Sequence, residues 1–213
     1  FHQQLGNDGE TWAAYQRAML ELARLDASSV ARRVPVRRGA RRLIDLGGGH
    51  GLFGAAICRA HPPLQSTVFE LPGALPEARR LAEMEGLAPW VTHRAADLST
   101  CDFEAGVDVA LLCNVLHHFE REARASLLER VFAALSPGAT IAIWEPEAPA
   151  PGAPPELAGD AVALYFRVTS SAPPVSAAAL CEELKRAGFV ASKVHRPLRA
   201  RGRMLLHARK APL

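Results

Sequence analysis

Short apolar runs alternate with helical stretches along most of this chain, and that alternation constrains the fold more than any other feature. Strand-like runs fall at 43–46, 67–70, 91–93, 107–113 and 140–144, and amphipathic stretches at 52–60, 74–85 and 121–135 lie between most of them. Repeated strand, helix, strand order implies right-handed crossovers, which lay the strands parallel and put helices on both faces of the sheet. Two last runs, 190–195 and 204–208, are joined by an arginine-containing turn and are expected to pair antiparallel at one edge. The prediction is an α/β fold of Rossmann-like, doubly wound type. It has three layers, α/β/α, around a mostly parallel seven-stranded sheet with an antiparallel edge strand.

The flanks are less regular. Trp12, Tyr15, Met19, Leu22, Leu25 and Val30 recur at helical spacing, predicting one or two helices that end near Pro35. The opening, from Phe1, has little upstream chain to cover those large apolar groups, which points to further chain ahead of it. Residues 1–34 are therefore read as a helical connector and 35–213 as the main domain; 213 residues suit one α/β domain with a short appendage. A Pro- and Ala-rich stretch at 146–155 reads as a loop, followed by helices at 157–166 and 176–187. Ser176 is the expected N-cap of the second, and Gly188 the left-handed residue at its end.

Composition removes several classes of protein. No apolar run approaches the ~20 residues needed to span a bilayer and no signal-peptide pattern opens the chain, so the expected location is cytoplasmic, without membrane association. Cys58, Cys101, Cys113 and Cys181 show no paired spacing, and the histidines no metal-ligand spacing, so no metal site is expected. The net charge of +3 is concentrated in arginine pairs at 32–33, 37–38 and 41–42 and in the tail. Without interleaved aromatics these read as a solvated surface, not a nucleic-acid site.

The first apolar run leads into Asp45-Leu46-Gly47-Gly48-Gly49-His50-Gly51, a turn whose glycines let the backbone bend sharply and approach a ligand closely. Nineteen residues after Gly51 comes Glu70, where a nucleotide-binding βαβ unit keeps the acceptor for its ribose hydroxyls. Ligands of open α/β sheets lie beyond the carboxyl ends of the strands. Those ends hold Asp45, Glu70, Asp97 and Glu145, and the remaining one holds Asn114, His117 and His118. A pyrophosphate would call for the opposite charge and for Gly-x-Gly-x-x-Gly spacing. A cofactor with a cationic centre and no phosphate is the better match.

Taken together, these blocks resemble the class I S-adenosylmethionine-dependent methyltransferases, and more narrowly the O-methyltransferase family of plant phenolic and bacterial natural-product enzymes. The matching blocks run in order through nearly the whole chain: Asp45 to Gly51, Glu70-Leu71-Pro72, Asp97, Leu116-His117-His118-Phe119, Pro137-Gly138, Glu145 and Ala187-Gly188-Phe189. The resemblance implies S-adenosyl-L-methionine as cofactor, with Asp45, Gly47, Gly48 and Gly49 in its loop and Glu70 on the ribose. Leu71 and Leu98 would enclose adenine, with Asp97 near its amino group and Asn114 at the cofactor's amino-acid end. It further implies that His117 is the general base that deprotonates a substrate hydroxyl, oriented by Glu145. The implied acceptor is a small aromatic or polyketide-like molecule. The implied assembly is a homodimer formed through an amino-terminal domain preceding this region.

Two departures stand out. The family's Asp-Trp after the base is His118-Phe119 here, and its second flanking Glu would fall in 172–176, which has no acid. Asp97 also reads as a helix N-cap, His118 as structural or substrate-lining, and Trp144 and Phe166 as core or pocket wall. The rival functions are a nicotinamide-dependent oxidoreductase, which the glycine spacing disfavours, and a non-catalytic cofactor-binding relative of the methyltransferases.

Overall fold

The computed structural model describes residues 9–148 and 174–212, together with residues 161, 164 and 170. The expected helix at 157–166, Phe166 and most of the loop at 146–155 lie outside the described residues. Helix α1 (Gly9–Ala31) precedes strand β1 (Arg42–Leu46), α2 (Leu52–Ala60), β2 (Gln65–Glu70), α3 (Leu75–Met84), β3 (Val91–Ala95) and β4 (Val107–Cys113). A 3-10 turn at Leu116–His118 leads to α4 (Arg121–Ala134), β5 (Leu135–Pro146), α5 (Ala177–Arg186), β6 (Val190–His195) and β7 (Arg203–Arg209). No described helix is long and apolar enough to cross a membrane.

The seven strands lie in the order β3-β2-β1-β4-β5-β7-β6. β1 to β5 pair parallel, while β7 pairs antiparallel with both β5 and β6. The reversed strand is thus β7, inserted one place in from the edge, because the turn after β6 brings the chain back on the inner side. β5 begins earlier than the run at 140–144 predicts: Leu135 already pairs with Val107, and the strand passes through Gly138 at φ +75° where its register with β4 shifts. Ser176 caps α5 as expected, its Oγ accepting from the Ala179 N–H at 3.2 Å, and Gly188 follows at φ +100°.

Side-chain alternation along the strands builds two cores. On one face Leu43, Val109, Leu111 and Trp144 pack against Ala23, Ala27 and Val30 of α1 and Phe53 and Ile57 of α2. On the other, Ile44, Leu46, Ala110, Leu112 and Ile143 meet Leu127, Leu128 and Val131 of α4 and Leu180 and Leu184 of α5. Each such leucine or isoleucine removed from water contributes roughly 1.5–3 kcal/mol. A buried bidentate pair, Arg124 to Glu183 at 2.7 Å on both oxygens, ties α4 to α5. The period of two also settles where Asp45 points. It shares a face with Leu43, so it is directed under the turn that follows β1.

Candidate active site

Strand order reverses between β1 and β4, and at the carboxyl ends of these strands lies a cavity of about 800 Å³. Such a switch point is where open α/β sheets hold their ligands. Among the described residues its wall includes Gly47, Gly48, Gly49, Glu70, Leu71, Asp97, Leu98 and Asn114, all expected from the sequence. It also includes Trp12, Tyr15, Gln16 and Met19 of α1, which sequence reasoning placed in a connector. Their helical spacing was the available signal; it showed an apolar face without showing what that face covers. Glu70, Asp97 and Glu120 line the cavity, and no described lysine or arginine does.

The glycine turn is shaped by its surroundings. Gly47 and Gly49 sit at φ +66° and +54°, where side-chain-bearing residues are strained, and a Cβ on Gly47 would stand 2.7 Å from Val115 Cγ2. The Gly47 N–H donates to the Phe69 carbonyl at 2.8 Å. Glu70 accepts from the Gly49 N–H at 2.9 Å through Oε2 and from the Leu71 N–H at 2.8 Å through Oε1. The Gly49 carbonyl is in turn 3.0 Å from His93 Nε2, which must donate to it. Strand-end side chains of β2 and β3 therefore hold both polar groups of Gly49. Burial raises the Glu70 carboxyl, while its two backbone donors oppose the rise.

Asp45 is expected among the cofactor contacts but does not line the cavity. It is fully buried beneath the turn, neither carboxyl oxygen completes a hydrogen bond, and burial pushes the group up to about 7, with the Glu70 charge adding to the rise against the nearby Gly54 N–H. In the unfolded chain the same carboxyl ionises near 3.8. Between those values the folded chain keeps a proton that the unfolded chain has lost, so this group's contribution to stability declines as pH rises from about 4 to about 7. Asp45→Asn is expected to remove that slope. Urea unfolding at pH 4.5 and pH 8 should show the variant gaining on the unaltered chain at the higher pH, by up to roughly 4 kcal/mol; parallel pH profiles would refute the assignment.

The remaining positions divide between ligand-facing and supporting roles. Leu98, with Phe69, Leu71, Ala96 and Phe119, gives the cavity an apolar section. Asp97 sits there too, and its Oδ1 accepts from the Ser99 N–H at 2.8 Å and the Ser99 hydroxyl at 2.6 Å, so the capping reading and a cavity position hold together. Asn114 adopts φ +54°, and its Oδ1 accepts from Arg203 Nη1 at 2.5 Å. His50 is held neutral, its ring lowered to about 4 chiefly by burial.

His117 is 2% exposed and its Nδ1 is 2.7 Å from Glu145 Oε2. The other oxygen of Glu145 accepts from the Val115 and Leu116 N–H groups at 2.6 and 2.7 Å. A carboxylate only accepts, so Nδ1 carries the proton and Nε2 is left with the lone pair. Neither His117 nor Glu145 lines the large cavity; both border a separate one of about 10 Å³ with Val175, Leu180 and Met204. His118, whose ring centroid is 4.1 Å from that of His117, lines the large cavity instead.

Comparison with known proteins agrees with this arrangement. Residues 1–189 match the model of the family described as the O-methyltransferase domain. Demethylspheroidene O-methyltransferase of Cereibacter sphaeroides is 34% identical over 193 residues, covering 90% of this chain and 50% of that protein. Mitomycin biosynthesis 6-O-methyltransferase of Streptomyces lavendulae is 32% identical over 146 residues, covering 67% and 40%. The chain thus spans about half the length of the curated relatives it matches. Among solved structures, an O-methyltransferase family protein from Burkholderia thailandensis superposes with a TM-score of 0.84 at 22% identity, over 99% of this chain and 63% of that one. Human N-acetylserotonin methyltransferase in complex with SAM gives 0.79 at 21%, over 95% and 56%. At these identities the two structures share the fold.

Proposed function

This chain belongs to the O-methyltransferase family, and on that premise we propose that it binds S-adenosylmethionine and directs a methyl group to a hydroxyl of a small aromatic or polyketide-like molecule. The observation that supports this best is the cavity itself: a glycine-walled space with three carboxylates and no described lysine or arginine in its lining. Such a site suits an adenosine attached to a cationic sulfur and disfavours the pyrophosphate of a dinucleotide. When bound, the cofactor supplies an electrophilic methyl group on a positively charged sulfur leaving group.

The chain's own residues then have three tasks. Glu70, fixed by two backbone N–H groups, keeps lone pairs for ribose hydroxyls, and Leu71 and Leu98 flank the base. The preformed turn holds the cofactor without rearranging, so binding energy goes into aligning the acceptor oxygen with the methyl group. His117 accepts the hydroxyl proton at Nε2, since Glu145 holds its other nitrogen protonated. A second reading places the proton on His118, because that ring lines the large cavity.

Calorimetric titration with S-adenosylmethionine tests the cofactor reading, and release of S-adenosylhomocysteine across a panel of phenols, polyketide-like compounds and demethylspheroidene tests transfer. Absence of binding would sink the first. Binding without turnover on any acceptor would favour a non-catalytic role.

A further inference from the structure

We propose that Gln16 of α1 binds the amino-acid end of the methyl donor, which makes a helix outside the sheet part of the cofactor site. The inference rests on the cofactor reading above. Gln16 is 3% exposed, and its Oε1 has no hydrogen-bond partner among the described residues. A buried acceptor left unpaired is costly enough that native proteins rarely keep one without use for it.

Its position shows what it awaits. Gln16 lines the large cavity, and a Cβ placed on Gly49 would stand 2.6 Å from its Oε1, so the amide oxygen lies directly against the glycine turn. The turn offers it nothing at that point, because the Gly49 N–H is committed to Glu70. The missing donor must then come from the cavity.

The nucleoside half of the cofactor already has its groups: Glu70 for the ribose, Leu71, Leu98 and Asp97 for the base. What lacks a counterpart is the α-ammonium and α-carboxylate. A primary amide presents an acceptor and two donors side by side, which matches that pair of charges. No described lysine or arginine in the lining competes for the carboxylate.

The test compares Gln16→Met, which keeps length without hydrogen bonding, and Gln16→Ala with the unaltered 213-residue chain. Calorimetry with S-adenosylhomocysteine and with 5′-methylthioadenosine, which lacks the amino-acid end, separates the two halves of the ligand. S-adenosylhomocysteine affinity is expected to fall tenfold or more, as for loss of a hydrogen bond to a charged group. 5′-Methylthioadenosine affinity should stay within about twofold. The melting temperature of free Gln16→Met should hold or rise, since an unpaired buried oxygen is gone.

Equal losses for both ligands would place the contact on the nucleoside and overturn the proposal, as would no loss for either. Failure of both variants to fold would assign Gln16 to packing alone and overturn it too. If the unaltered chain binds neither ligand, the cofactor reading itself falls, and this inference with it.

Discussion

Replacing His117 by alanine is expected to lower kcat for methyl transfer by roughly 10²–10⁴-fold while leaving S-adenosylhomocysteine affinity unchanged. Glu145→Gln should do as much harm by a different route. The glutamine oxygen can keep the Val115 and Leu116 N–H groups, but its NH₂ then faces His117 Nδ1. That nitrogen must become the acceptor, the ring proton moves to Nε2, and the base is lost without a cavity or an unpaired backbone group. Because both changes remove one function, the double variant should be little worse than either alone. Single-turnover rates on the four chains measure this. A fall of less than tenfold for His117→Ala would dismiss the base assignment, and a large fall in His118→Ala instead would transfer the role to the neighbouring ring.

The second large effect is expected at Gly48, where the obstacle is a buried carboxyl. A Cβ there would stand 2.4 Å from Asp45 Cγ and 2.6 Å from each of its oxygens. Asp45 has no free space to retreat into, because it is fully buried and a Cβ on Gly54 would already come within 3.0 Å of its Oδ2. Gly48→Ala should therefore destabilise the chain by roughly 1–3 kcal/mol and shift the turn that binds the cofactor. Binding of S-adenosylhomocysteine is expected to fall about 100-fold, equivalent to roughly 2.7 kcal/mol. Urea unfolding and calorimetry report the two quantities. Gly9→Ala, with nothing within 4 Å, serves as the neutral control. If the cost of Gly48→Ala is undiminished in an Asp45→Ala background, the overlap is not its cause.

What could be read in advance was whatever depends on neighbours in sequence. Strand and helix order, the turn at Gly47 to Gly49 and the position of Glu70 all follow from short-range pattern, since each lies within one βαβ unit. Asp45 looked like a ligand contact because it adjoins the turn, yet its place on the Leu43 side of β1 directs it beneath the turn. Contacts over long separations left little trace. Asn114 meets Arg203 across 89 residues, and no spacing announces that pairing. His117 and Glu145 lie 28 apart, and only the resemblance joined them. The cavity wall from α1 was visible as Trp12, Tyr15 and Met19 on one face; the polar Gln16 within that face was the overlooked sign.

The insertion of β7 between β5 and β6 bears on how the molecule comes into being. β6 is made before β7 but has no hydrogen-bonded strand beside it until β7 arrives, so the sheet cannot be completed in the order of synthesis. The same late strand brings Arg203, which holds Asn114 at the mouth of β4. A ribosome-bound chain halted before Arg203 would have its nucleoside-binding turn but an unsupported Asn114. Competence for the cofactor is therefore acquired at the end of translation, and pairings of such long range are the slow ones in folding.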